Sequence, residues 1–245
     1  MGKMNENILL MENRAYMYRL LGRIYKQEVD QELFSQLSTL HFNSECDEGE
    51  LSEGYHQFEA FFKKTYLDAL TDLAVDYAKV FLGAGIAEGT VAYPYESVYT
   101  SPEHLMMQKA RDEVLELYRE FGLDKEENLD IFEDHLGLEF EFMAFLCKEG
   151  KEALHCEDYA KVELLLQTQS LFLEKHLLNW ISPFCDDILK CSESEFYKAV
   201  AKMTRGYLTL EQEILQYLNT SVMISAHKAQ AHQESSIQNA SNCCN

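Results

Sequence analysis

The chain has 245 residues, of which 47% are hydrophobic and 26% charged, with only 3 prolines, a composition that fits one or two packed globular domains and excludes a fibrous or low-complexity chain. Acidic side chains outnumber basic ones by 42 to 21, for a formal charge of -21; such a surface repels phosphate backbones, which argues against nucleic acid as a partner, and attracts a basic peptide. No apolar run reaches the roughly 18 residues that would span a bilayer.

The N-terminal apolar run Ile8, Leu9, Leu10, Met11 is cut short by Glu12 and Asn13, so no leader is expected and the cytoplasm is the expected address. Seven cysteines, at 46, 147, 156, 185, 191, 243 and 244, include no C-x-x-C pair. They read as buried or incidental thiols in a reducing compartment.

Helical periodicity dominates the chain. Leu10, Arg14, Met17, Leu21 and Ile24 share one stripe and predict a helix over 4–26, followed by helices over 31–39, 48–66 and 69–82. Residues 83–100, GAGIAEGTVAYPYESVYT, hold three glycines and one proline and read as a long loop, of the kind that carries function on a helical scaffold. Ser101 with Pro102 predicts the start of a helix that ends at Gly122, because proline loses nothing at a first helical position. The polar link from Asp124 to Asn128 predicts a hinge near 123–129. Asp130, with Glu133 at the third helical position, predicts a helix running to Gly150, and another helix follows over 158–178. Ser192 and Glu195 form a further capping box, and Phe196, Val200, Met203, Tyr207, Leu210, Ile214 and Leu218 form the stripe of the helix behind it. From 225 the chain turns polar and reads as a disordered tail over 225–245. The expected architecture is all-α: one helical domain over 1–224, single or two-lobed, a bundle of about ten helices.

Two segments concentrate chemistry. Pro94–Tyr99 sets aromatic rings around Glu96 and Ser97, a combination suited to a cationic or amphipathic guest, with a loop pinned by Tyr95 and Tyr99 as the structural alternative. Glu133, Asp134 and His135 precede the apolar run LGLEFEFMAFL, and Glu139 follows His135 by one helical turn, which builds an acceptor cluster for a guanidinium or simply caps a helix around a satisfied histidine. Glu53/His56 and Glu152/His155 carry the Glu-x-x-His spacing of di-iron bundles, but the first pair flanks Gly54 and the second sits in a charged connection, so no metal or other cofactor is expected. No nucleophile elbow, P-loop or dinucleotide fingerprint occurs, so no catalytic residue is assigned.

The ordered series Asp76-Tyr77, Val80-Phe81 and Gly83, then Pro94-Tyr95-Glu96-Ser97-Val98-Tyr99, then Glu133-Asp134-His135 with Glu139, Phe142 and Met143, then Phe172, His176-Leu177, Trp180, Phe184 and Phe196-Tyr197 resembles the TorD/DmsD family of redox-enzyme maturation chaperones. The resemblance implies an all-α, non-enzymatic chaperone that binds the twin-arginine signal peptide and precursor of a molybdenum-cofactor oxidoreductase of the dimethyl sulfoxide or trimethylamine oxide reductase type. It also implies a monomer or a domain-swapped dimer. Peptide contacts are implied at Tyr77, Val80, Phe81, Pro94, Tyr95, Asp134 and His135; Glu96, Ser97, Tyr99 and Glu139 complete the candidate site. Gln108 stands where relatives commonly carry glycine, and Phe132 where some carry proline. The rival readings are a helical di-iron enzyme and an adaptor for a folded catalytic subunit.

Overall fold

The computed structural model describes residues 2–42, 49–64, 67–89, 91–126 and 129–242, with side chains of the last helix placed as far as His227. Among these residues lie ten α-helices and no strand: α1 Gly2–Lys26, α2 Gln31–Ser38, α3 Glu50–Lys63, α4 Ala69–Phe81, α5 Glu96–Thr100, α6 Lys109–Glu120, α7 Leu136–His155, α8 Tyr159–Phe172, α9 Ile181–Cys191 and α10 Glu195–Asn242. A π-helical turn, Leu173–Leu177, continues α8. The all-α class is as the periodicity predicts. No helix among the described residues is long and apolar enough to cross a membrane.

Local chemistry starts several of these helices. Asp30, Asp68 and Asp158 each accept a hydrogen bond from the amide three residues on, at 2.8, 3.3 and 3.0 Å, supplying an acceptor for one of the four free amides of a helix start. Helix α1 packs along α7, and α3 along α10. The first pair crosses through glycine: a Cβ on Gly22 would meet the Gly137 carbonyl at 3.1 Å, and one on Gly137 would meet the Gly22 carbonyl at 3.0 Å. The start of α7 is thereby clamped against α1, close to the candidate site.

One contiguous apolar core joins the layers, with Trp180, Tyr25, Phe140, Phe184 and Tyr197 fully buried. Across the α1–α10 seam, Arg14 donates from Nε and Nη2 to Glu211 at 2.9 and 2.7 Å, and the Tyr18 hydroxyl donates to the same carboxylate at 2.8 Å. Cys147, Cys185 and Cys191 are buried and Cys156 exposed, all as free thiols; Cys46, Cys243 and Cys244 lie outside the described residues.

Several boundaries differ from the sequence reading, each for a physical reason. Ser101 does not cap a helix of its own. Its hydroxyl accepts from the Leu105 amide at 3.1 Å inside a turn, and α6 begins only at Lys109. Asp130 does not cap α7 either; the His135 imidazole does, and Glu133 and Asp134 precede the helix rather than open it. At α10 the box shifts by two residues: Ser194 accepts from the Phe196 amide at 3.1 Å, while Ser192 donates to the buried Asp76 at 2.5 Å. Helix α10 runs to Asn242, through the stretch read as a disordered tail. That stretch has Ile237 as its one large apolar residue but also lacks glycine and proline, and Ala226, Ala229, Gln230, Ala231, Gln233 and Glu234 favour helix. The expected hinge near 123–129 falls partly on residues 127 and 128, which lie outside the described residues.

Candidate functional site

Pro94 lacks an amide hydrogen and keeps its predecessor extended, so the chain enters α5 as a short extended segment. That segment pairs with the residues before α7. Tyr95 and His135 form an antiparallel bridge; the Glu96 amide donates to the Asp134 carbonyl at 3.0 Å and the Leu136 amide to the Pro94 carbonyl at 2.9 Å.

The side chains then finish both helix starts. Tyr95, at the N-cap of α5, has no side-chain acceptor to offer. Asp134 supplies one from across the bridge, taking the Ser97 amide on Oδ2 at 2.9 Å. His135 caps its own helix, accepting from the Gly137 amide on Nδ1 at 3.0 Å. Burial, with a smaller contribution from Lys26, pulls the His135 pKa down to about 3, so the ring is neutral and its accepting nitrogen stays available.

Behind these caps sits a buried acidic group. Glu96 Oε2 lies 2.9 Å from His176 Nδ1, and Oε1 accepts from Asn179 at 2.9 Å. His176 belongs to the π-helical turn, and its carbonyl accepts from the Trp180 indole at 2.6 Å. Glu139 is fully buried. Burial, followed by the charges of Glu96 and Asp134, holds its pKa well above the ordinary carboxyl value, which favours the neutral carboxyl. Asp134 is also raised, by burial first and by Glu96. Asp134 Oδ1, both Glu139 oxygens and His176 Nε2 are buried with no hydrogen-bond partner among the described residues.

The eleven residues singled out from the sequence divide by position. Pro94, Tyr95, Glu96, Ser97, Asp134, His135 and Glu139 come together in this unit. Tyr99 extends it, stacked 5.5 Å from Trp180 and donating to Asp187 at 3.2 Å. Tyr77, Val80 and Phe81 lie in the core: the Tyr77 hydroxyl donates to the Tyr25 carbonyl at 2.8 Å, and Phe81 packs edge-on against Tyr25 at 5.8 Å. The face left accessible is Tyr95, half-buried, with half-buried Phe132 at 6.0 Å and exposed Asp130 beside it. Burial, then Asp134, pushes the Tyr95 phenol up to about 12.

Among the described residues, clefts of about 590, 220 and 170 Å³ open elsewhere, and these are lined by none of the eleven residues. The largest, between α4 and the start of α10, is bordered by Phe61, Leu73, Val75, Asp76 and Glu193. His176 and Asn179, which complete the Glu96 environment, carry no signal at the site from sequence position alone, lying 80 and 83 residues away; only the i, i+4 series Phe172, His176, Trp180 marks that face. Among the described residues no three His, Cys, Asp or Glu side chains form a metal-ligand group. Glu53 of the Glu53/His56 pair accepts from Lys202 at 3.1 Å.

Residues 45–186 match the family described as nitrate reductase delta subunit. A relative named Chaperone protein TorD from Vibrio cholerae serotype O1 is 29% identical over 221 residues, covering 88% of this chain and 97% of its own. Proteins of the same name from Photobacterium profundum and Shewanella oneidensis are 27% and 26% identical, covering 86% and 88% of this chain and 98% and 97% of their own. The relatives carry the name of a chaperone, a non-enzymatic role, and the helical fold agrees with it. With more than half of its length matched, the chain belongs to the nitrate reductase delta subunit family, among the TorD-type redox-enzyme maturation chaperones.

Proposed function

We propose that this chain binds the twin-arginine signal peptide of a molybdenum-cofactor oxidoreductase, of the dimethyl sulfoxide or trimethylamine oxide reductase type, and assists the precursor's maturation in the cytoplasm before export. One observation carries the reading. Two segments distant in sequence, Tyr95–Ser97 and Asp134–His135, are bonded into a single unit in which Asp134 caps α5 and His135 caps α7.

The unit offers an arginine-bearing guest an aromatic face at Tyr95 and Phe132 and a carboxylate at Asp130, the surroundings that favour a guanidinium. The formal charge of -21 draws a cationic peptide towards it. The buried residues Asp134, His135 and Glu139 support the reading as the frame that sets this face, and Tyr77, Val80 and Phe81 as the packed layer beneath.

The test is a calorimetric titration with a synthetic peptide carrying Arg-Arg and an apolar run of about a dozen residues. Saturable binding is expected, weakened at least about tenfold when both arginines become glutamine and weakened again by salt. A folded chain that ignores the arginine pair would end this reading.

A further inference from the structure

Residues 101–108, between α5 and α6, display three consecutive large apolar side chains to solvent: Leu105 is 55% exposed, Met106 39% and Met107 53%. A helical protein ordinarily turns such a run inward, since each buried side chain gains from leaving water. Here the backbone holds it outward. His104 and Met107 have φ of 53° and 60°, the left-handed region that such residues rarely occupy and that persists only where surroundings enforce it.

The surroundings are hydrogen bonds made by Ser101, His104 and Gln108. Ser101 Oγ accepts from the Leu105 amide at 3.1 Å, His104 Nδ1 lies 2.9 Å from the Val98 carbonyl, and Gln108 Nε2 donates to the Met106 carbonyl at 3.1 Å. The exit of the turn is bonded to the site itself: the Gln108 amide donates to Ser97 Oγ at 3.1 Å, and the Ser97 amide donates to Asp134. The unbroken series Asp134, Ser97, Gln108 thus makes the motif a mount for an apolar, methionine-bearing surface.

We infer that Leu105, Met106 and Met107 form the docking surface for the apolar run of the signal peptide, an inference that rests on the function proposed above. Unbranched, polarisable methionines adapt to apolar guests of varied sequence. Charge decides between the candidate occupants: a second copy of this chain brings another formal charge of -21 and repels, whereas a basic-apolar peptide is attracted.

The experiment titrates the same synthetic Arg-Arg peptide into the full chain and into Leu105→Gln/Met106→Gln/Met107→Gln. A matched peptide whose apolar run is replaced by serine and glycine runs alongside, with thermal melts checking the fold. The expected result is at least about a tenfold loss for the triple variant, no further loss when the variant meets the serine-glycine peptide, and retained binding in Met106→Leu. A measurement on the unaltered chain stands beside it: peroxide oxidation of Met106 and Met107, followed by mass spectrometry, should slow several-fold when the peptide is bound. Equal affinity in the variant, or oxidation unchanged by a bound peptide, overturns the docking surface and leaves the proposed function standing. No binding of any Arg-Arg peptide by the wild type removes both. A wild-type dimer that the variant loses, with peptide affinity intact, assigns the surface to a second copy and overturns the inference.

Discussion

At the α1–α10 seam, Arg14, Tyr18 and Glu211 close on one another: both oxygens of the buried carboxylate meet donors, at 2.7 to 3.0 Å. In the motif unit, Glu96, Asp134, Glu139 and His176 are as deeply buried, yet Asp134 Oδ1, both Glu139 oxygens and His176 Nε2 have no partner among the described residues. The seam brings one positive charge to one negative charge, so its geometry serves the joining of two helices and nothing else is asked of it. The motif unit brings three carboxyl groups near one another, of which only Glu96 meets the His176 imidazole, and burial with the charges of the other two raises the Glu139 pKa. The difference separates a cluster whose charges are paired from one that leaves buried polar groups without partners among the described residues, beneath the face to which peptide binding is proposed above.

The sharpest way to break the comparison is at the seam. Arg14→Met leaves the Glu211 carboxylate buried without its counter-charge and should lower unfolding free energy by about 3–5 kcal/mol, read by urea denaturation. Adding Glu211→Leu should recover most of that loss, because the pair is replaced by apolar volume. A single variant as stable as the wild type would mean that the seam is not a paired charge at all.

In the motif unit the effects should be smaller and should reach the surface. Asp134→Ala strips the Ser97 amide of its acceptor and should cost about 1–3 kcal/mol, with weaker binding of the Arg-Arg peptide because Ser97 anchors the 101–108 turn. Loss of stability with unchanged peptide affinity would separate the frame from the face. His135→Ala removes one helix cap, at about 1 kcal/mol. Its pH dependence carries a definite sign. The folded-state pKa is about 3 and the unfolded value about 6.5, so on acidification the unfolded chain takes the proton first and stability falls between those values. His135→Asn keeps an acceptor for the Gly137 amide and should flatten that part of the profile, measured by denaturation from pH 7 to pH 4.

What was legible in the sequence follows the range of the interaction. The first helix was readable because its stripe repeats at helical spacing; the caps of α2 and α4, Asp30 on Leu33 and Asp68 on Thr71, likewise act within one turn. The start of α7 was not, because the local pattern offers Asp130 and Glu133 as a box, whereas His135 caps α7 and Asp134 is committed to an amide 37 residues earlier. Ser101-Pro102 misled for a similar reason: the serine hydroxyl serves a turn whose left-handed residues, His104 and Met107, carry no sequence signature. Motif order brought Tyr95, Asp134 and His135 into one group. It could not tell that Tyr77, Val80 and Phe81 would be core, since apolar residues at helical spacing look alike whether they line a groove or fill an interior.

The finest test concerns the proton on Glu139. Burial and the charges of Glu96 and Asp134 raise its folded-state pKa, so above about pH 4.3, the unfolded value, the folded chain keeps a proton that the unfolded chain releases. Stability contributed by the protonated group is therefore fully present below that value and is lost as pH rises towards the folded pKa. Glu139→Gln keeps the shape and cannot titrate, so wild type and variant should be nearly equal near pH 4 and diverge upwards. By pH 8 the variant should be the more stable, by about 1.4 kcal/mol for each pH unit over which only the folded chain holds the proton, in urea denaturation across that range. Glu211→Gln at the seam should do the opposite, destabilising at neutral pH because there the lost charge was paired. Parallel profiles for wild type and Glu139→Gln would mean that Glu139 is ionised in the fold, with an unseen cation or water network matching it, and the contrast between the two clusters would collapse.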